Sequence, residues 1–144
     1  MHVRDWKLFL DGQWDKEIAI AQLSQELTDH LGAISRNVYL HQSYARKAVT
    51  KHGLSVEHLP LIFDVVDYGM ALDDRPGHVT FLHLDETTWH EWFQVSVKCG
   101  VGDRRIFLVT FHRSNAAEVA RKKRRHKTIR PAKTWQAGKC KRAA

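Results

Sequence analysis

Apolar residues in the first half of the chain recur at the spacing that is typical of helices. Across residues 20–31 they lie three or four positions apart, which predicts an amphipathic helix that ends at Gly32. Residues 44–52 and 59–68 predict two further helices, whereas residues 38–40 predict a short strand. The first half therefore predicts mainly helical structure.

In the second half the period of the pattern changes to two. Residues 78–84, 89–98 and 104–112 are rich in β-branched and aromatic side chains, and residues 99–103 predict a Gly-containing hairpin turn. Three antiparallel strands are thus the predicted centre of the fold. Alternation along the last two strands predicts one core-facing set: Phe93, Val95, Val97, Phe107, Val109 and Phe111.

A final helix is predicted from Asn115, because Asn115 followed three residues later by Glu118 resembles a capping box. Its apolar face is thin, and residues 121–125 are all Lys or Arg. Composition from residue 127 onward predicts a flexible basic tail. The sequence therefore predicts an α+β protein with a single domain over residues 1–126 and a tail over residues 127–144.

Charge is distributed unevenly along the chain. Residues 113–144 contain twelve Lys or Arg and one acidic residue, whereas residues 1–112 contain eleven Lys or Arg and fifteen acidic residues. The net charge of +7 thus combines a slightly acidic body with a strongly basic C-terminal part. Such an arrangement predicts a polyanionic partner, of which a nucleic acid is the simplest example.

No signal for membrane insertion or secretion is evident in the sequence. It has no apolar run of about 18 residues, and its N-terminus lacks the order of a signal peptide. The expected location is cytoplasmic. The two cysteines, Cys99 and Cys140, are far apart in the sequence and are expected to be free thiols.

Several polar residues could support RNA cleavage without a metal or another cofactor. This reaction needs a base for the 2′-hydroxyl, an acid for the leaving 5′-oxygen, and donors for the phosphate. His52 and His112 are the acid–base candidates, because imidazole titrates near neutral pH. The phosphate candidates are Lys98, Thr110 and Arg113. Whether these residues share one face of the sheet depends on the hairpin register, which the sequence leaves open.

The same segments suggest a family. The run SRNVYLHQSYARKAVTKHGLSVEHLPLIFDVVDYG, followed by FQVSVKCGVGDRRIFLVTFHRS and a basic helix, resembles the phage-associated members of the barnase, EndoU, colicin-tRNase and RelE-like (BECR fold) nucleases. The resemblance spans residues 34–130. It implies N-terminal helices packed on a small curved antiparallel sheet, followed by the basic helix and tail.

The resemblance also implies roles for individual residues. It makes His52 and His112 the acid and base of a metal-independent ribonuclease, with Lys98, Thr110 and Arg113 supporting the phosphate. Further residues are expected to bind the substrate: Lys51, Arg121, Lys122, Arg124 and Arg125. The expected partners are RNA of unresolved class (tRNA, mRNA or rRNA) and an acidic antitoxin or immunity protein, if the protein acts as a toxin or as a phage or mobile-element accessory protein.

Other interpretations of these residues remain open. A metal site could form from His83, Asp85, His90 and Glu91, although they lack the spacing of a known motif. Trp89 and Trp92 could stack on bases, but strand aromatics are more often part of a core. The main alternative to an enzyme is a non-catalytic nucleic-acid-binding or phage-structural module with the same fold.

Overall fold

A computed structural model describes residues 2–133 of the chain, which form five α-helices and one sheet of seven strands. The helices are α1 (Val3–Leu10), α2 (Gln25–Leu31), α3 (Gln42–Thr50), α4 (Leu61–Tyr68) and α5 (Ala116–Arg125), with a short 3-10 helix at Val56–His58. The strands are β1 (Glu17–Gln22), β2 (Asn37–His41), β3 (Met70–Arg75), β4 (His78–Asp85), β5 (Glu91–Cys99), β6 (Ile106–Ser114) and β7 (Lys127–Arg130). None of the helices in residues 2–133 is long and apolar enough to cross a membrane.

The strand order in the sheet is β1-β2-β6-β5-β4-β3-β7, and it corrects the predicted fold class. The prediction of N-terminal helices packed on a small antiparallel sheet is wrong. Strands β1 and β2 alternate with the first helices, and β2 pairs with β6 in parallel, so the sheet is large and mixed. The protein is α+β with its helices interspersed among the strands.

The predicted helix over residues 20–31 is in fact a strand followed by a helix. Ile20 lies on β1 and is buried, and the helix begins only after Ser24, whose Oγ accepts a hydrogen bond from the backbone N–H of Leu27 at 3.2 Å. Ser24 is thus an N-cap that separates the two elements. The apolar spacing spanned this boundary, because Ile20 and Leu27 reach the same core from different elements.

The two faces of the sheet are covered differently. Helices α1 to α4 contribute to the main core on one face, which we call the core face; Trp6, Leu27, Ala45 and Val65 are among their buried residues. On the opposite face, which we call the outer face, α5 contributes Val119 to a second apolar cluster with Met70, Leu72, Leu82 and Trp92. The outer face carries Gln94 and Ser96 of β5 and Thr110 and His112 of β6.

A β-bulge between β5 and β6 determines which residues face the core. Ser96 pairs with Thr110 but Val97 pairs with Leu108, so Val109 is the extra residue. The predicted core set is therefore correct for β5 and for Phe111, but wrong for Phe107 and Val109. Beyond the bulge the alternation is displaced by one position, and Ile106 and Leu108 are buried in the main core instead.

The first part of the predicted basic tail belongs to the sheet. Residues 127–130 form β7, which pairs antiparallel with β3. The guanidinium of Arg130 donates hydrogen bonds to the carbonyls of Val66 and Gly69, at 2.8 and 2.6 Å, and so ties β7 to the end of α4. The rest of the predicted tail, residues 134–144, lies outside the described residues.

The bulge predicts different costs for truncating neighbouring side chains on β6. Leu108→Ala should lower the free energy of unfolding by about 2–5 kcal/mol, because it removes a buried side chain and leaves a cavity. Val109→Ala, at the half-buried bulge position, should cost distinctly less. Urea unfolding of both variants measures the difference. Equal costs, or a larger cost at Val109, would contradict the register described above.

Candidate active site at the junction of α3 and β6

His52 and His112 are brought together at the edge of the sheet. His52 lies two residues beyond α3, and His112 lies near the end of β6. Strand β2 pairs with β6 only at residues 106 and 107, so α3 can contact the later part of β6. The two imidazole rings are 5.3 Å apart between centroids, with an interplanar angle of 47°. Two imidazole rings thus lie side by side, although they are distant in the sequence.

The hydrogen bonding of His112 leaves one ring nitrogen for chemistry. Its Nδ1 lies 2.8 Å from the carbonyl oxygen of Arg113. Since a carbonyl can only accept a hydrogen bond, Nδ1 carries a proton and donates it. This contact orients the ring and assigns proton exchange with a ligand to Nε2.

The imidazole of His52 is held in its neutral form near neutral pH. Burial lowers the pKa of His52, and the neighbouring charges of His112, Lys51 and Lys47 lower it further. A role as a charged cap on the C-terminus of α3 is therefore disfavoured, because such a cap needs the protonated ring. A neutral imidazole is instead able to accept a proton.

Unpaired polar atoms cluster around His112. Seven buried side-chain N or O atoms in residues 2–133 lack a hydrogen-bond partner, and four of them belong to immediate neighbours of His112. Thr110 and Ser114 flank it on β6, Gln94 is its partner on β5, and His52 contacts its ring. Buried polar atoms are normally paired, so these atoms are groups whose hydrogen bonds a water molecule or a polar ligand would complete.

Arg113 lies beside the histidines and is already anchored. Its Nε donates to Glu91 Oε2 at 2.8 Å, and its Nη1 lies 3.3 Å from the carbonyl oxygen of Gly53. Gly53 has a φ of 68°, a conformation in which a glycine costs little, and this turn presents its carbonyl to Arg113. These contacts use two of the five guanidinium donors, which leaves others able to bind a phosphate.

The other predicted site residues lie at different distances from the two histidines. Lys51 is exposed beside His52. Lys98 pairs with Phe107 on the outer face, four pairs along the hairpin from His112, which is roughly 13 Å at strand spacing. The structure therefore does not bring Lys98 to the histidines. The basic residues of α5 lie on the outer face: Arg121 bonds to Glu118, Lys122 is half-buried, and Arg124 and Arg125 are exposed.

The residues considered for a metal site do not form one. Asp85 accepts hydrogen bonds from the Thr87 hydroxyl and from the backbone N–H groups of Thr88 and Trp89, while Glu91 is paired with Arg113. Over residues 2–133, no group of three or more His, Cys, Asp or Glu side chains is placed to hold a metal ion. Among residues 2–133, Cys99 is a free and buried cysteine, and burial raises the pKa of its thiol. The other cysteine, Cys140, lies outside the described residues.

Comparisons of the chain with protein-family models, with curated proteins and with solved structures find no significant match. The function of the protein is therefore inferred from the geometry of the site.

Three residues at this site were missed by reasoning from the sequence. Gln94 and Ser114 contribute unpaired oxygens beside His112, and Glu91 holds Arg113. Their proximity follows from the register of β5 and β6, in which Phe93 pairs with Arg113 and Trp92 with Ser114. The alternation of polar residues along both strands was a signal for Gln94, but the bulge had to be known to align the strands.

Buried histidines predict that the protein loses stability as the pH falls. Burial lowers the pKa of His52, His58 and His83 in the folded state, whereas imidazoles of the unfolded chain titrate near 6.5. Just below that pH the unfolded state binds more protons, so the free energy of unfolding rises with pH. Urea unfolding at pH 7.5 and 5.5 should show lower stability at 5.5.

The buried His58 provides a variant for this test. Its ring stacks on Trp89 with centroids 3.8 Å apart, so Phe is a replacement of similar shape. His58→Phe should reduce the difference in stability between the two pH values. Burial raises the pKa of Asp67, so the contribution of this carboxyl to the free energy of unfolding falls as the pH rises, at the acidic end of the range. Stability that is unchanged or higher at pH 5.5 would contradict the prediction.

Proposed function

We propose that the protein is a metal-independent endoribonuclease that cleaves RNA by transesterification and leaves a 2′,3′-cyclic phosphate. The observation that supports this best is the pair of imidazoles surrounded by unpaired polar atoms. The basic helix α5 and the Arg113 guanidinium add positive charge for a phosphodiester backbone. A cytoplasmic location is part of the proposal, because RNA is abundant there.

In the proposed reaction His52 is the base and His112 is the acid. His52 removes the proton of the 2′-hydroxyl, whose oxygen attacks the adjacent phosphorus, while protonated His112 donates its Nε2 proton to the leaving 5′-oxygen. The lowered pKa of His52 favours this assignment, because a base must be unprotonated at the start. The Thr110 hydroxyl, on the same face of β6 as His112, donates a hydrogen bond to a phosphate oxygen as negative charge develops on it. Arg113, anchored at the Gly53 carbonyl, adds positive charge near the site.

Substitution of either histidine tests the mechanism. His52→Ala and His112→Ala should each reduce RNA cleavage by about 100-fold or more, because each removes a proton-transfer step. The wild-type protein should remain active in EDTA, and its rate should depend on pH as a bell-shaped curve. The assay incubates the protein with mixed cellular RNA and identifies the product ends. His78→Gln, near the far end of the β4–β5 pair, is the matched control and should retain activity.

Two results would contradict the proposed reaction. Cleavage that stops in EDTA and leaves 5′-phosphates would indicate metal chemistry. No cleavage of several RNA classes by the wild-type protein would favour the alternative, a non-catalytic nucleic-acid-binding module that uses the same basic surface. The toxin or phage accessory role and the acidic inhibitor protein are separate proposals, which depend on the activity being found.

The basic helix predicts a salt-dependent contribution to RNA binding. Arg124 and Arg125 are exposed, and within residues 2–133 neither forms an ion pair. Arg124→Ala/Arg125→Ala should weaken binding and reduce the log–log salt slope by roughly 1.4, which is about 0.7 for each phosphate contact on a single strand. Fluorescence anisotropy over a salt series measures the RNA affinity and its salt slope.

Arg4→Ala/Lys7→Ala, at two exposed positions of α1, is the control. An unchanged slope after the α5 substitutions would exclude this helix as an RNA contact.

A further inference from the structure

A large cavity on the outer face has no role in the chemistry described so far. It has a volume of about 1300 Å³ and lies between α5, the end of α4, strands β3 to β5 and residues 131–133. Its floor consists of Met70, Leu82, Trp92 and Val119, which form the second apolar cluster. The volume exceeds that of sites for most small ligands, about 300–1000 Å³, so a larger or extended ligand fits it better.

Charges of both signs line this cavity, so a phosphate is favoured only on its basic side. Lys123, Arg124 and Lys133 lie on the side of α5 and β7. The carboxylates that line the cavity, Asp64, Asp85 and Glu86, belong to α4 and to the end of β4. Trp92 is half-buried on the floor and offers a flat surface for stacking. Cations above an aromatic floor suit a nucleotide, whose phosphate and base need different environments.

The cavity is adjacent to the histidine pair. Trp92 is the cross-strand partner of Ser114, and His112 lies two residues before Ser114 on the same face of the sheet. Diagonal neighbours on adjacent strands are roughly 7–8 Å apart, which is within the reach of a single nucleotide. Between them lie the unpaired Oγ of Ser114 and the unpaired Oε1 of Gln94, whose side chain is 6% exposed. Two buried polar atoms thus lie between the cavity and the proposed site of cleavage.

We propose that this cavity binds a short unpaired segment of the RNA strand, next to the phosphodiester that is cleaved at His112. A base of this segment stacks on Trp92, and Lys123 and Arg124 bind its phosphates. The inference rests on the proposed function and specifies its substrate as single-stranded RNA, because bases within a duplex are paired and stacked and cannot enter the cavity.

Binding can be measured without cleavage in the His112→Ala background. The probe is a short fluorescein-labelled single-stranded RNA of mixed sequence, and fluorescence anisotropy gives its affinity. Adding Trp92→Leu should weaken binding by about tenfold, because it removes a stacking surface, whereas Trp92→Phe should largely restore it. Trp14→Leu removes an exposed tryptophan near the opposite edge of the sheet and serves as the matched control.

A second variant distinguishes a loss of RNA binding from an effect of the Trp92 substitution on folding. Ala120 is exposed on the wall of the cavity, so Ala120→Glu should leave the fold intact and weaken binding by placing a negative charge there. The affinity for the same RNA annealed to its complement should be unaffected by Trp92→Leu, because a paired base cannot stack on Trp92. Equal single-strand affinity in the parent, Trp92→Leu and Ala120→Glu proteins would overturn the proposal.

A competition measurement and the cleavage assay distinguish this proposal from two others. If unlabelled adenosine monophosphate displaced the strand as effectively as unlabelled RNA, the cavity would be a free-nucleotide site and the proposal would be wrong. The cleavage assay on the wild-type protein is independent of these measurements. If Trp92→Leu weakens RNA binding but the wild-type protein cleaves no RNA, the binding site is supported and the proposed catalysis is wrong. If the wild-type protein cleaves RNA but Trp92→Leu leaves binding unchanged, the catalysis is supported and the binding site is wrong.

Discussion

The pairing of β5 with β6, and the bulge at Val109 within it, is the constraint on which the rest of the structure depends. On one side of the bulge Ile106 and Leu108 point into the main core; on the other side Phe111 does so, while Thr110 and His112 point away from it. A regular pairing throughout would have put either Leu108 or His112 on the opposite face. The single extra residue therefore allows β6 to contribute both to the core and to the polar site.

The same strand explains how the histidines meet. β6 is flanked by β2 over only its first residues, and α3 follows β2 directly and passes along the remaining edge. The turn at Gly53 then leaves the His52 ring beside His112 and the Gly53 carbonyl beside Arg113. A helix terminus and a strand end thus form one site because the neighbouring strand is short.

Local sequence patterns predicted a helix or strand correctly where the whole pattern lay within that one helix or strand. The strand at residues 38–40, helices α3 and α4, the strands β4 to β6 and the Asn115 cap all correspond to structure, with shifted ends. Strand β3 was missed because it carries Asp73, Asp74 and Arg75, and β7 was missed because its Lys and Arg resembled a tail. Their strand character comes from pairing with distant residues, which a local pattern does not contain.

The candidate site was predicted only in part for a related reason. The residue types of His52, His112 and Arg113 indicated acid–base chemistry, and the structure places these three together. The distance of Lys98 from them, and the contributions of Gln94, Ser114 and Glu91, follow from strand register. Register depends on the bulge, and the bulge has no distinctive residue such as glycine at Val109 to reveal it.

The position of β7 has a consequence for how the chain can be shortened. Because β7 covers the hydrogen-bonding edge of β3, and Arg130 satisfies the last carbonyls of α4, removing everything after α5 would uncover both. A bare strand edge invites pairing with another molecule, so such a shortened protein should self-associate. A truncation intended to remove charge alone should therefore begin beyond Lys133, whose backbone N–H still bonds to the Tyr68 carbonyl.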